Sequence, residues 1–257
     1  MTGYGEFTVE LDRGSVEVLA WSGDTRLAPV VLLHEGLGSA RLWRTFPEGV
    51  HQSTGRTVIA WSRHGYGSSE PSRQPRAVSY MHDEALVVLP SLLEHLSLSS
   101  PVLVGHSDGA SIALIHAGSG HPVSAVVAIA PHVLVEERSL VGIRAALDRF
   151  DTTDLVKRMT RHHRDPVATF RGWNDIWLSE QFRTWNIEEF LEHVTAPVLA
   201  IQAADDEYGT LDQLARIKAR LPGRYEELVF RSGGHAPHAG HPQVVLDSIV
   251  GFLEESA

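Results

Sequence analysis

The sequence contains no cysteine, and this absence removes several kinds of chemistry at once. A chain without thiols forms no disulfide framework, uses no cysteine nucleophile and binds no metal through thiolates. Long apolar runs are also missing. The longest, such as residues 29–33 and 125–130, fall far short of the roughly 20 residues that span a bilayer. We therefore expect a protein with no membrane span.

Positive charge is in deficit as well. The chain has 22 Lys and Arg against 32 Asp and Glu, a formal net charge of −10 at pH 7. This excess of acid argues against a general nucleic-acid-binding protein and against attachment to anionic lipid. The first residues show no basic stretch followed by an apolar one, so we expect no signal peptide and a cytoplasmic location.

The composition that remains is that of an ordinary globular protein, with 43% hydrophobic and 21% charged residues. A length of 257 residues fits one large domain or two small ones. The unusual number is 15 histidines, which raises the question of a metal site.

Short apolar runs alternate with helical patterns along the chain. The first residues predict a β-hairpin, because two segments of alternating apolar and polar residues, 7–11 and 15–21, flank Asp12-Arg13-Gly14. Short apolar, β-branched runs follow at 29–33, 57–61, 101–104, 124–129, 197–201 and 225–230. Most of them are near-continuous, as expected for parallel strands buried on both faces. Helical spacing is present at 40–53, 78–97, 108–118, 210–221 and 242–255. This order predicts an α/β fold with a mainly parallel sheet.

One segment, residues 133–194, interrupts this alternation. It has no convincing strand pattern, is amphipathic, and holds three of the six tryptophans. We interpret it as a helical cap inserted between two parts of a core, residues 1–132 and 195–257, with its apolar side facing a pocket. The alternative is that it supplies two extra helices to the core.

The strongest functional signal is Gly105-His106-Ser107-Asp108-Gly109. This G-x-S-x-G sequence follows an apolar strand and opens a helix, the context in which a serine nucleophile sits on a tight, strained turn. The helix N-terminus then directs its N–H groups at developing negative charge. The alternative is a tight turn without catalysis.

A serine nucleophile needs a base, and the base needs an orienting carboxylate. In this architecture they follow the serine in the order acid, then histidine. Three acids, Asp205-Asp206-Glu207, come soon after the strand at 197–201. His235 follows Gly233-Gly234 in the loop after the last strand.

Three further motifs carry a resemblance to a known family. Residues 33–39 (LHEGLGS) resemble an H-G-x-x-G-S loop, and residues 62–68 (SRHGYGS) are similar to a D-x-R-G-x-G-x-S loop. Gly234-His235 is followed by Pro242, seven residues after the histidine. With the serine motif, these features resemble the α/β-hydrolase fold superfamily, in its esterase, lactonase and C–C hydrolase branch, over almost the whole chain. The implied fold is a mainly parallel sheet flanked by helices with a small helical cap.

The resemblance implies a role for each motif residue. Ser107 is the nucleophile and His235 the general base and acid. The family acid falls three residues after a glycine at a strand end. Ala203 takes the glycine position, so Asp206 is the first candidate and Asp205 the alternative.

The oxyanion hole is assigned to main-chain N–H groups of Gly36 and Asp108, with Leu37 next in line. Glu35 stands where the family has a glycine. The Asp108 side chain either hydrogen-bonds locally at the helix start, or contacts substrate or competes for His235. We assign it no role in the triad, because in this fold it is expected to point away from the histidine.

The remaining candidates concern substrate and cofactors. We list Trp173, Trp177 and His34 as possible substrate-binding residues, although His34 also suits support of the oxyanion loop. His235, His238 and His241 are spaced by three, but Pro237 and Pro242 break a common face and no carboxylate accompanies them, so we expect no metal. No phosphate-binding motif appears, so we expect no nucleotide, flavin or other cofactor.

The sequence thus predicts a cofactor-independent serine hydrolase that acts on a small carboxylic ester or lactone. The same triad also supports hydrolysis of a C–C bond in a β-diketone-like ring-cleavage product. A third hypothesis is a ligand-binding protein that has the same residues but does not catalyse a reaction. The sequence predicts no nucleic-acid or membrane partner and leaves the oligomeric state open.

Overall fold

The apolar runs of the sequence become the strands of one sheet. The computed structural model describes residues 3–255, and within them the sheet has eight strands. The strands are β1 Gly5–Leu11, β2 Gly14–Trp21, β3 Val30–Leu33, β4 Val58–Trp61, β5 Val102–His106, β6 Ala125–Ile129, β7 Val198–Ala203 and β8 Tyr225–Phe230.

The strand order across the sheet is β1-β2-β4-β3-β5-β6-β7-β8. The β1–β2 and β2–β4 pairs are antiparallel, and every later pair is parallel. A mainly parallel sheet places the carboxyl ends of its strands at one edge, where ligand sites of open α/β sheets form. The predicted α/β fold class is confirmed.

Both faces of the sheet are covered, as the continuous apolar runs require. Successive residues of β3 serve opposite faces: Val31 and Leu33 belong to one buried cluster, Val30 and Leu32 to the other. Two predicted strands are longer than expected, because main-chain pairing continues past the apolar residues to His106 in β5 and Ala203 in β7.

Helices connect the strands. They are α1 Phe46–Thr54, α2 Tyr80–Asp83, α3 Leu89–His95, α4 Asp108–Gly118, α5 Glu137–Thr152, α6 Leu155–Met159, α7 Pro166–Leu178, α8 Glu188–Leu191, α9 Asp212–Arg220, α10 Pro237–Gly240 and α11 Pro242–Glu254. Two 3₁₀ segments, Ala40–Trp43 and Glu180–Thr184, and one π-helical turn, Glu84–Val88, complete them. Helix α4 is buried along its whole length.

The segment between β6 and β7 is helical. It contains α5 to α8, and its described residues add no strand to the sheet apart from an isolated bridge between Leu134 and Asn186. Aromatic residues of α5 and α7 pack together, with Phe150 stacked on Phe170 at 3.9 Å between ring centroids. The division into a core and a cap stays a prediction.

Candidate active site

Ser107 occupies a strained turn between β5 and α4. Its φ of 54° and ψ of −117° are a conformation that residues with a side chain rarely adopt. Such strain persists only where the surroundings hold it in place, and it is concentrated at functional sites. The turn presents Ser107 at the carboxyl edge of the sheet, at the N-terminus of α4.

The two glycines of the motif are required by close backbone packing. A Cβ atom on Gly105 would lie 2.3 Å from the carbonyl oxygen of Gly109, and one on Gly109 would lie 1.9 Å from that of Leu33. These distances are far below van der Waals contact. Only glycine therefore lets helix α4 approach the ends of β3 and β5 this closely.

His235 and Asp206 form a hydrogen-bonded pair. Nδ1 of His235 lies 2.9 Å from both carboxylate oxygens of Asp206. Asp206 follows β7 and is fully buried, and His235 follows β8 and is largely buried. The main-chain N–H of Tyr208 also donates to Asp206, at 2.8 Å. The carboxylate is therefore fixed from two sides and directed at the imidazole.

Competing influences act on the charge of Asp206. Burial raises the pKa of its carboxyl, but the hydrogen bonds and charge of His235 and the N–H of Tyr208 lower it by more. The net pKa lies below the usual value for aspartate. Asp206 is therefore ionised at neutral pH and presents a negative charge to the ring of His235.

The neighbouring acids shape the histidine loop instead. Asp205 is exposed, and its Oδ1 accepts hydrogen bonds of 2.9 Å from the N–H groups of both Gly233 and Gly234. Glu207 is also exposed and accepts from the main-chain N–H of His235 at 3.1 Å. The structure thus places Asp206, rather than Asp205, against the histidine ring.

A small cavity of about 90 Å³ lies beside the serine turn and the histidine loop. Both Ser107 and His235 line it, together with the predicted substrate contacts Trp173 and Trp177. Its other lining residues are Glu35, Gly36, Leu37, His132, Ser139, Ile143 and Tyr208. Residues from the segment 133–194 therefore form one wall, and residues that follow strands form the other.

Gly36 and Leu37, the candidates for the oxyanion loop, line this cavity. Hydrogen bonds to the preceding residue hold the loop in place. The carbonyl oxygen of Glu35 accepts hydrogen bonds from Arg63 Nη2 at 3.0 Å and from the N–H of Gly38 at 3.1 Å. Because a trans peptide directs its C=O and N–H to opposite sides, the N–H of Gly36 points away from these donors. That N–H donates no hydrogen bond to any group among residues 3–255.

His34 is not among the described residues that line the cavity, and its role in substrate binding stays a prediction. Its ring is completely buried, with Nδ1 2.7 Å from the carbonyl oxygen of Glu35 and Nε2 accepting from the main-chain N–H of Arg63 at 3.1 Å. Its position matches the other sequence interpretation, support of the oxyanion loop.

The Asp108 side chain does not hydrogen-bond locally at the start of its helix, which corrects one of the expectations for it. Its Oδ2 accepts a hydrogen bond of 2.8 Å from the hydroxyl of Tyr80. That hydroxyl in turn accepts from Nε1 of Trp177 at 2.9 Å. Arg63 Nη2 lies 3.8 Å from the same carboxylate oxygen, and both side chains are buried. A buried network therefore links Asp108 to the cavity wall and to the oxyanion loop.

Sequence reasoning missed two histidines near the catalytic candidates. Nε2 of His106 lies 2.7 Å from the carbonyl oxygen of His235, and its Nδ1 lies 3.5 Å from Glu35 Oε2. His132 lines the cavity directly. The available signal for His132 was its place just beyond β6, at the edge where the other site residues follow their strands.

The three histidines spaced by three along the chain, His235, His238 and His241, have different neighbours in the structure. His235 faces Asp206, His238 packs against Trp43 and Phe46, and His241 stacks on Phe230. Across residues 3–255, no group of three or more histidine, aspartate or glutamate side chains is arranged to hold a metal ion. No helix in the same range is both long and apolar enough to cross a membrane.

Comparison with known proteins agrees with this architecture. Residues 30–248 match the model of the alpha/beta hydrolase family. The chain belongs to that family. The resemblance stated from the sequence motifs is thereby confirmed.

Individual relatives of this hydrolase have different activities. It is 23% identical to the mouse (Mus musculus) sn-1-specific diacylglycerol lipase ABHD11 over 90% of this chain and 82% of the lipase. It is 35% identical to proline iminopeptidase of Lactobacillus helveticus over 37% of this chain, and the match spans about a third (32%) of the iminopeptidase. The solved enol-lactonase of Burkholderia xenovorans superposes with a TM-score of 0.72 at 15% identity, over 96% of this chain and all (100%) of the lactonase.

Proposed function

We propose that this protein is a cofactor-independent serine hydrolase that cleaves a small carboxylic ester or lactone through Ser107, His235 and Asp206. One observation carries the proposal: His235, which is paired with Asp206, lines the same cavity as a serine on a strained turn. A nucleophile, a base and an orienting carboxylate are the minimal parts of a serine hydrolase.

The first half of the reaction forms an acyl-enzyme. Nε2 of His235 takes the Ser107 hydroxyl proton as Oγ bonds to the substrate carbonyl carbon. The resulting oxyanion accepts hydrogen bonds from the N–H groups of Gly36 or Leu37 and of Asp108, aided by the N-terminal dipole of α4. As the bond to the leaving alkoxy oxygen breaks, His235 returns the proton to that oxygen, while Asp206 stabilises the transient imidazolium.

The second half releases the acid. A water molecule gives a proton to His235 and attacks the acyl carbonyl, and the tetrahedral intermediate collapses with the proton passing to Ser107 Oγ. The products are the free acid and the regenerated serine. No step needs a metal or an organic cofactor, and Asp206 takes up no proton in either half of the reaction.

The size and lining of the cavity support a small, largely apolar acyl or ring portion. A volume of about 90 Å³ is well below the roughly 300–1,000 Å³ of pockets for drug-sized ligands. Trp173, Trp177 and Ile143 supply apolar surface. We further propose that residues 133–194, which contribute these three side chains, act as a cap over a core of residues 1–132 and 195–257. A simple ester therefore fits better than a bulky ring-cleavage product.

The test is turnover of a short p-nitrophenyl ester by the wild type and by Ser107→Ala. We expect the variant to lose activity by several orders of magnitude, as triad removals do. A fluorophosphonate probe should label the wild type at Ser107 and leave the variant unlabelled. Near-wild-type turnover in the variant, or labelling at another serine, would overturn the assignment.

A further inference from the structure

His132 is a cavity residue that the triad does not use. It follows β6 at the carboxyl edge of the sheet, and its ring centroid lies 5.6 Å from that of His235. Its ring also meets the indole of Trp177 edge-on, at 5.2 Å. The side chain therefore lies beside the place where the substrate carbonyl is attacked.

The ring of His132 has an unused hydrogen-bonding atom. Neither ring nitrogen has a hydrogen-bond partner among the residues that the structure describes. Nδ1 is buried away from solvent, whereas Nε2 keeps accessible surface on a side chain that lines the cavity. Nε2 is therefore the atom of this cavity wall that is free to pair with a bound ligand.

The backbone of His132, in contrast, is firmly held. Its carbonyl oxygen accepts a hydrogen bond of 2.6 Å from Ser111 Oγ, on α4. The N–H of Val133 donates to Gln213 Oε1 at 2.7 Å. These contacts fix the position of the ring without using its nitrogens, as a preorganised recognition group requires.

The charge state of the ring limits what it can bind. Burial, with the nearby positive charge of His235, lowers the pKa of His132 to about 3. The imidazole is therefore neutral at pH 7, with one nitrogen donating and the other accepting. The carboxylate of Asp206 acts on the ring in the opposite sense, and His106 acts in the same sense as His235.

We propose that His132 is a specificity-determining residue that hydrogen-bonds a hydroxyl group on the acyl portion of the substrate. The inference rests on the proposed function and narrows its substrates to hydroxyacyl esters or hydroxylated lactones. A hydroxyl both donates and accepts, so it pairs with either tautomer of the ring. A carboxylate is disfavoured, because Glu35 also lines the cavity and Asp206 lies behind His235.

The experiment compares kcat/KM for methyl 3-hydroxybutanoate and methyl butanoate in the wild type and in His132→Phe. We expect the wild type to prefer the hydroxylated ester by at least about 10-fold and the variant to lose about 10- to 100-fold of that preference, as for one buried hydrogen bond. Ile143→Ala is the matched control, because it alters an apolar wall and should leave the ratio between the two esters unchanged.

Several results would overturn the inference. A wild type without preference for the hydroxylated ester contradicts it, as does an equal loss on both esters in His132→Phe, which would assign the ring to a step that both share. Failure of the proposed function looks different: neither ester is hydrolysed, or hydrolysis survives Ser107→Ala.

A binding measurement keeps the inference testable if His132→Phe does not fold or turnover is absent. Calorimetry on the Ser107→Ala protein should show tighter binding of methyl 3-hydroxybutanoate than of methyl butanoate, again by at least about 10-fold. Equal affinities for the two uncharged esters would contradict the recognition of a hydroxyl by His132.

Discussion

Asp206 is the residue on which the charge balance of the site depends. It is fully buried, pairs with the imidazole through both oxygens and keeps its negative charge at neutral pH. Removing only the charge leaves the shape of the side chain in place. The position therefore offers a clean separation between the electrostatic and the steric contributions to catalysis.

Asp206→Asn should lower kcat by about 10³- to 10⁴-fold, because an amide neither holds the required imidazole tautomer nor stabilises its charged form. The measurement is steady-state turnover of a short ester at pH 7 to 8. Asp205→Asn is the matched control: its carboxylate is exposed and contacts only the loop glycines, so we expect a loss under about 10-fold. Equal losses in the two variants would contradict the assignment of Asp206.

At the residue scale, the order of strands and polar residues in the sequence is enough to predict most of the candidate site. Ser107, Asp206 and His235 each follow an apolar strand, and parallel strands bring their carboxyl ends together. Their catalytic roles stay predictions. The partners of Asp108 could not be predicted from the sequence, because Tyr80 and Arg63 contact it only through the packing of segments that are distant along the chain.

At the scale of elements, the closest approach in the site is between α4 and the ends of two strands. A side chain on Gly109 has no room against the carbonyl of Leu33. Gly251, in helix α11, has open space around its Cβ position. The two helical glycines therefore predict opposite outcomes for the same substitution.

Gly109→Ala should destabilise the fold by at least about 2 kcal/mol, because α4 must shift against main-chain atoms that cannot move aside. Gly251→Ala should instead stabilise the protein by about 0.5–1 kcal/mol through its helix propensity. Urea unfolding of the two variants measures both free energies. A Gly109→Ala protein as stable as the wild type would show that the packing of α4 against β3 is looser than described.

Element boundaries show where the sequence pattern stops being informative. Strand β8 occupies the predicted residues, Tyr225–Phe230. Strands β3 to β7 agree with the prediction within a few positions, because burial on both faces makes them continuously apolar. The π-helical turn Glu84–Val88 carries no comparable signal. Its apolar spacing is that of an ordinary helix, and the register change is visible only in the main chain.

At the scale of the whole molecule, buried histidines set the response to acid. Burial lowers the pKa of His132 and of His238 to about 3 and that of His116 to about 4. In an unfolded chain a histidine titrates near pH 6.5. Below that pH the unfolded state binds protons that the folded state does not take up.

The free energy of unfolding should therefore be highest above pH 6.5 and fall between pH 6.5 and about 4, by about 1.4 kcal/mol per pH unit for each such histidine. Urea unfolding at pH 7.5, 6 and 5 measures the slope. His116→Gln, distant from the cavity, removes one titrating group from the unfolded state and should reduce the slope by about one proton. An unchanged slope would mean that His116 titrates normally in the folded protein.

Because of the strand order, the candidate active site can form only after several separate strands have paired. The serine, the acid and the histidine follow β5, β7 and β8, and β8 is the edge strand of the sheet. Neighbouring strands such as β3 and β5, or β6 and β7, are joined by long stretches of chain, so their pairing closes large loops late and slowly. During synthesis or refolding the proposed catalytic centre is complete only after the last strand docks. Hydrolytic activity therefore reports the arrival of the C-terminal part of the chain, and an N-terminal fragment that folds without β8 is expected to be inert.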